Sequence, residues 1–308
     1  MKKTFLLITA ISFALFLVSC GGNKDNDAST DNDTIVEEVE TAPLKTAEEL
    51  GEIEKLDEEA IAALENKEEA IRFSSSYNLN EFPQEVLEAK NMQTIELNNY
   101  RGESLPEELI NFPNLTVLYV TGATNLKTLP DALSELENLK TVSITAANNL
   151  DIAATIKLLS KCENLENLQI TYCEVESDIP AEIGNMKNLK VLDLSDNMIS
   201  SFPAEFYTLE SLISLKLTSS EDYRYNYEEI FAKLKDLPKL ERLAIYYSGL
   251  TGLPDVFNDY PALTTIKWRE NGAAWDNQVE ATTEKWNAKF PDITVDWSTA
   301  STPFYDYY

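Results

Sequence analysis

The chain has 308 residues, a formal net charge of −28, no histidine, three cysteines and 44% hydrophobic residues. That length can bury a substantial core, whereas the charge argues against unaided nucleic-acid binding, which needs cations to replace phosphate counterions. Without histidine the commonest general base and zinc ligand is missing, and three cysteines cannot build a disulfide framework.

Residues 1–19 read as a signal peptide. Lys2 and Lys3 supply its positive start, and Phe5 to Val18 is an apolar stretch of fourteen residues, short of the roughly 20 that a membrane-spanning helix needs. The stretch ends in Leu17-Val18-Ser19-Cys20, which resembles the bacterial lipobox; the resemblance implies cleavage before Cys20 and lipidation of its sulfur. Residues 20–45 follow as a tether rich in Gly, Asn, Asp, Ser and Thr, with too little apolar surface to offset ordering. Residues 21–70 carry 17 acidic against 4 basic residues, a solvated stalk that anionic lipid would repel. Acids soon after the cysteine resemble the surface-export signals of Gram-negative lipoproteins, and Gly21 stands where an Asp would mark inner-membrane retention. Both resemblances imply an outer-membrane lipoprotein displayed at the cell surface, held to the membrane through its lipid alone.

Residues 46–69 predict a helical N-terminal cap. Thr46-Ala47-Glu48-Glu49 reads as a capping box, and Leu50, Ile53, Leu56, Ala60, Ile61 and Leu64 form an amphipathic set for one or two helices. A first strand is expected near residues 70–74.

Residues 70–274 repeat. Segments 105–120 (LPEELINFPNLTVLYV), 129–144 (LPDALSELENLKTVSI) and 179–194 (IPAEIGNMKNLKVLDL) superimpose without gaps. An anchor falls at Met92, Leu115, Leu139, Leu165, Leu189, Leu212, Leu240 and Leu263, with spacings of 23, 24, 26, 24, 23, 28 and 23. Apolar residues three and five positions later, such as Leu118 and Val120, have the period of two that puts both on one face of a short strand. This pattern resembles the leucine-rich-repeat family, whose LxxLxL core stands in LKVLDLSDN at 189–197. The resemblance implies an α/β leucine-rich-repeat solenoid, with parallel strands on the concave face and short helical or extended segments on the convex face. A single unit cannot cover its own apolar side, so stability comes from stacking. The family's asparagine after the strand survives at Asn197 and Asn271, with Cys173 once and Ala123, Ala147, Ser220 and Ser248 elsewhere; a broken amide ladder and less regular turns are therefore expected. Residues 275–308 read as a degenerate last unit and tail. Trp275, Val279, Trp286 and Phe290 recur at helical spacing, and Asp296 falls where an inward leucine belongs.

No motif carries catalysis. HExxH, CxxC, P-loop, GxSxG and GxGxxG segments do not occur. Cys162 occupies a core column and Cys173 the asparagine position, so both are expected to be structural thiols. Glu96 and Asp193 are the acids that fall in concave rows, and four strands apart they would be about 19 Å from each other, too far for a glycosidase pair. No enzyme, cofactor or metal is expected. The concave rows instead gather Lys216, Arg242, Lys267 and Arg269 in the last third, with Tyr246 and Tyr247 among them. An insertion at 219–230 adds Tyr223, Arg224, Tyr225 and Tyr227. Tyr and Arg are common anchors of interfaces, which makes this set the candidate binding site for an unknown protein or peptide. A glycan-binding lipoprotein of a nutrient-capture system and a structural envelope protein are the alternatives. Trp268, in an inward column, is not available as a sugar platform.

Overall fold

A computed structural model describes residues 44–75, 78–174, 176–218, 225–246, 252–269 and 279–296. The signal peptide, Cys20 and the tether up to residue 43 lie outside the described residues, as do Tyr223, Arg224, Tyr247, Ser220, Ser248, Asn271, Trp275 and the tail at 303–308. The same holds for the side chains of Val279 and Arg269.

The cap forms two short helices, α1 (Ala47–Glu52) and α2 (Glu58–Ala63), and a 3-10 turn at Lys67–Glu69. The capping box is complete: Thr46 N–H donates to the Glu49 carboxylate at 2.8 Å, and Glu49 N–H donates to Thr46 Oγ1 at 3.2 Å. Asp57 caps α2 by accepting from Ala60 N–H. Leu50 and Ile61 are buried, and Leu56 and Leu64 pack against the core. Leu56 does more than cover apolar surface. Its N–H donates to Arg72 O and its carbonyl accepts from Ser74 N–H, so one extended residue satisfies part of the open sheet edge.

Ten strands form one parallel sheet: β1 (Arg72–Ser74), β2 (Thr94–Asn98), β3 (Val117–Thr121), β4 (Thr141–Thr145), β5 (Asn167–Thr171), β7 (Val191–Asp193), β9 (Ser214–Lys216), β10 (Arg242–Tyr246), β11 (Thr265–Arg269) and β12 (Thr294–Asp296). A two-stranded parallel sheet, β6 (Glu176–Asp178) with β8 (Met198–Ser201), lies apart from it. Phe73, Ile95, Leu118, Val142, Leu168, Leu192, Leu215, Leu243 and Ile266 are consecutive register partners, all fully buried. That row is the spine the periodicity predicts.

The return segments are 3-10 turns (Glu107–Asn111, Asp131–Glu135, Ala181–Asn185, Ala204–Thr208, Asp255–Asp259) or helices α3 (Gln84–Leu87), α4 (Ile152–Leu159) and α5 (Tyr227–Leu234). Prolines 83, 106, 130, 180, 203 and 254 precede six of them in extended conformation, where no backbone donor is needed. The two longest spacings contain α4 and α5. An α-helix rises about 1.5 Å per residue against about 2.0 Å for a 3-10 helix, so eight residues wound as α are only slightly longer than five wound as 3-10. The extra residues are taken up without disturbing the sheet register.

Two expectations are corrected and one holds. Five of the turns that follow strands, all among the described residues, are regular: Asn99, Gly122, Ala146, Tyr172 and Asp196, seven residues after successive anchors, have φ between 51° and 61°. The column after them is filled by buried residues of different size, Tyr100, Ala123, Ala147 and Cys173 beside Asn197. The amide ladder of that column is broken, as expected: among the described residues Asn197 alone keeps it, accepting from Cys173 N–H and donating to the carbonyls of Ile170 and Leu194. A separate set of amides stands one residue before the anchor, where Asn91, Asn138, Asn164 and Asn188 donate to the carbonyls of Glu68, Pro113, Glu137 and Glu163 in the preceding unit. Finally, Asp296 does not point into the core. The last unit is one residue shorter between anchor and strand, so Val295 pairs with Ile266 and is buried, while Asp296 pairs with Lys267 on the concave face.

At the C-terminal end α6 (Val279–Lys289) closes the core. The Trp286 ring meets Trp268 edge-on at 5.3 Å and stacks near Phe290, which also contacts Phe257.

Candidate functional site

Alternate residues of each strand face outward on the concave side, and cross-strand bonds set their side chains. Asn167 Nδ2 donates to Thr141 Oγ1 at 3.1 Å, Ser143 Oγ to Gln169 Oε1 at 3.2 Å, and the Thr145 and Thr171 hydroxyls share a bond at 3.1 Å. Along the central row half-exposed Tyr119, Gln169, Lys216 and Lys267 alternate with buried Glu96, Ser143, Asp193 and Ala244. Tall side chains shelter short neighbours, giving a continuous polar surface whose groups are already oriented.

The first end of this face is an ion cluster. Arg72 Nη2 and Lys55 Nζ lie 2.8 and 2.7 Å from the Glu96 carboxylate, and Arg72 Nη1 also donates to Leu50 O. Burial alone would raise the Glu96 pKa, but the hydrogen bonds from Lys55 and Arg72 outweigh it and hold the carboxyl below its usual range. In the middle, Lys216 Nζ is 3.3 Å from Asp193 Oδ2, and Asp193 Oδ1 accepts from Ser195 N–H.

The candidate residues divide. Lys216, Arg242 and Lys267 do share the concave face on the adjacent strands β9, β10 and β11. Tyr246 lies on the same face but is only 8% exposed; burial first, and Asp296 second, push its phenol up to about 12. Tyr225 is a correction. It is 7% exposed, its hydroxyl donates to Asn197 O at 3.1 Å, and its ring packs on Phe202 and Tyr227, so it is a core residue beneath the turn after β7. Tyr227 is likewise buried and donates to Leu217 O. Trp268 is fully buried, as its column predicts.

Residues with no sequence signal join the face. Asp296 is one. At the sheet's exit edge, Asp196 is flanked by Asp193, Glu174, Lys216 and the bonded Tyr172 side chain; burial pushes its carboxyl up to about 6, with Lys216 opposing and the two acids adding. Tyr172 is 53% exposed in a left-handed turn conformation.

The chemistry on offer is recognition by charge and hydrogen bonding. Both described cysteines are buried, with thiols pushed up to about 11 by burial, and Cys162 Sγ donates to Leu133 O. Each therefore stays protonated, a poor state for a nucleophile.

Comparison with known proteins matches a leucine-rich-repeat profile to residues 163–221 and an R13L1/DRL21 leucine-rich-repeat profile to residues 37–147. A leucine-rich-repeat protein of Leptospira interrogans superimposes with a TM-score of 0.54 at 21% identity, covering 80% of this chain and 66% of that one. The fold is a leucine-rich-repeat solenoid. An internalin of Listeria monocytogenes is similar at 18% identity and a TM-score of 0.47, over 63% of this chain and 53% of its own. The TMV resistance protein N of Nicotiana glutinosa is 27% identical over 127 residues, which are 40% of this chain and 11% of that protein. The solenoid thus spans a small part of its curated relative and just under two thirds of the Leptospira chain.

Proposed function

We propose that the protein is a lipid-tethered recognition module that holds a protein or peptide partner across its concave face. The observation that carries this reading is the preset polar surface. Its hydroxyls, amides and charges are fixed by cross-strand bonds before any partner arrives, so binding orders few side chains. Leu17-Val18-Ser19-Cys20 supports a lipid anchor at Cys20, and the acidic segment after it supports display at the surface of a Gram-negative outer membrane. A glycan site draws less support, because Tyr119 is the only described aromatic that is more than marginally exposed along the three outward rows of the sheet. Catalysis in this chain is not part of the proposal.

The test is affinity capture from envelope extracts with the full chain, beside a Tyr119→Ala/Gln169→Arg variant altered at the centre of the face. A partner retained by the wild type and lost by the variant supports recognition there; equal retention refutes it. Metabolic labelling with a radioactive fatty acid tests the anchor, with label expected on the wild type and absent from Cys20→Ala.

A further inference from the structure

The longest repeat spacing, 28 residues between Leu212 and Leu240, brings the start of α5 beside β8, in the small sheet apart from the concave face. Between them lies a cavity of about 130 Å³. Among the described residues its floor is apolar and aromatic, with Ile199, Tyr207, Tyr225 and Ile230 all buried. Half-buried Phe202 stands against Tyr225 at 5.8 Å. The rim is polar and exposed, formed by Ser200, Asn226 and Glu229. One group of the floor is left over. Tyr207 is only 9% exposed, yet its hydroxyl has no hydrogen-bond partner among the described residues, whereas the buried phenols of Tyr225, Tyr227 and Tyr260 each donate to a carbonyl. Burial first, and Glu229 second, push the Tyr207 hydroxyl up to about 12, so it stays protonated and can both donate and accept. A hydroxyl taken out of water without a partner is costly, and a ligand that pairs with it recovers that cost.

We infer that this cavity is a saccharide site, taking one neutral sugar ring of a glycan. The charge on its rim is already answered. Lys233 Nζ lies 2.7 Å from Glu229 Oε1 and over the Tyr207 ring at 5.4 Å, and Asn226 Nδ2 donates to Glu229 Oε2 at 3.3 Å. A cationic guest would meet a carboxylate that has its own ammonium, so charge is not what the cavity selects. What it offers is hydroxyl recognition: Tyr207 at the floor, Ser200 and Asn226 at the rim, and the remaining lone pairs of a fixed Glu229 carboxylate, beside the rings of Phe202 and Tyr225. A pyranose carries the matching surface, with C–H groups on its faces and hydroxyls around its edge. An aliphatic peptide side chain would fill the space and leave Tyr207 unpaired. The volume is well below the roughly 300 Å³ at which drug-sized sites begin, so the cavity holds one ring.

Saturation-transfer NMR with the full chain tests the site. The probes are methyl glycosides of glucose, galactose, mannose and N-acetylglucosamine, with N-acetyl-seryl-asparaginyl-serine amide as the peptide control. At least one glycoside should receive saturation from the protein, and the peptide should not. Tyr207→Phe keeps the ring and removes the hydroxyl. It should weaken that glycoside about fivefold, the equivalent of one neutral hydrogen bond, without lowering the melting temperature, because the lost hydroxyl had no partner. Ser200→Trp, which plugs the rim from an exposed position, should abolish transfer. No transfer to any glycoside, transfer to the peptide as strong as to the glycosides, or binding unchanged in Tyr207→Phe or in Ser200→Trp overturns the site. The Tyr119→Ala/Gln169→Arg variant leaves the cavity intact, so this site and recognition across the concave face fail separately.

Discussion

Asn164 Nδ2 donates to the Glu137 carbonyl at 2.8 Å, tying the unit before β5 to the one before β4. Asn138 and Asn188 repeat the bond to Pro113 and Glu163. A hydrogen bond of this kind is worth about 1 kcal/mol, so each Asn→Ala change should lower unfolding free energy by about that much. Because stability in a stack is shared between neighbours, Asn138→Ala and Asn188→Ala should be nearly additive. Urea titration followed by circular dichroism measures this.

Asp196 makes the folded state uneasy at neutral pH. Its folded pKa, about 6, lies above the ordinary 3.8, so ionisation opposes folding. That penalty is full above pH 6, shrinks as pH falls and is absent below about 3.8. Asp196→Asn, which also suits the left-handed backbone, should raise the melting temperature at pH 7.5, with the gain fading by pH 4.

Glu96 behaves in the opposite sense. Its folded pKa is depressed below 4.5, so its contribution is present above that value and is lost as pH falls further. Glu96→Gln leaves Arg72 without its ion-pair partner and should destabilise by about 1–3 kcal/mol at pH 7. The loss should appear first as faster hydrogen exchange in α1 and at Leu56, the parts that Arg72 and Lys55 join to the face.

Gly184 marks a close approach between return segments. A Cβ there would lie 2.7 Å from Glu205 Cβ and 3.1 Å from Glu205 O. Gly184→Ala is therefore expected to cost about 1–3 kcal/mol despite alanine's better helix propensity, a result that thermal melts of the full chain can check.

The apolar columns were legible because burial repeats with the period of the unit: Leu118, Val142 and Leu168 announce their neighbours. The asparagine before five of the eight anchors was just as visible, in PNL, ENL and KNL, but the family's asparagine belongs to the turn column, where Ala and Cys stand instead. Asp296 was misplaced because one residue drops out before β12, and a slip of one residue moves a side chain to the other face. Tyr225 was misread because its insertion has no counterpart in other units to align with, so nothing local marks its hydroxyl as bound to Asn197 O. Of the candidate face, the shared strands of Lys216, Arg242 and Lys267 followed from the repeat. The acids that balance them, Asp196 and Asp296, needed the three-dimensional turn and the last strand's register.

The most direct test of recognition across the concave face is site-specific photo-crosslinking in cells. A photoreactive phenylalanine analogue at position 119 or 169 reports on the concave face, and one at 163 or 210 reports on the opposite side. Adducts of one discrete mass from positions 119 and 169, and none from 163 and 210, are the predicted result. Adducts from 163 or 210 with none from the concave positions would contradict it.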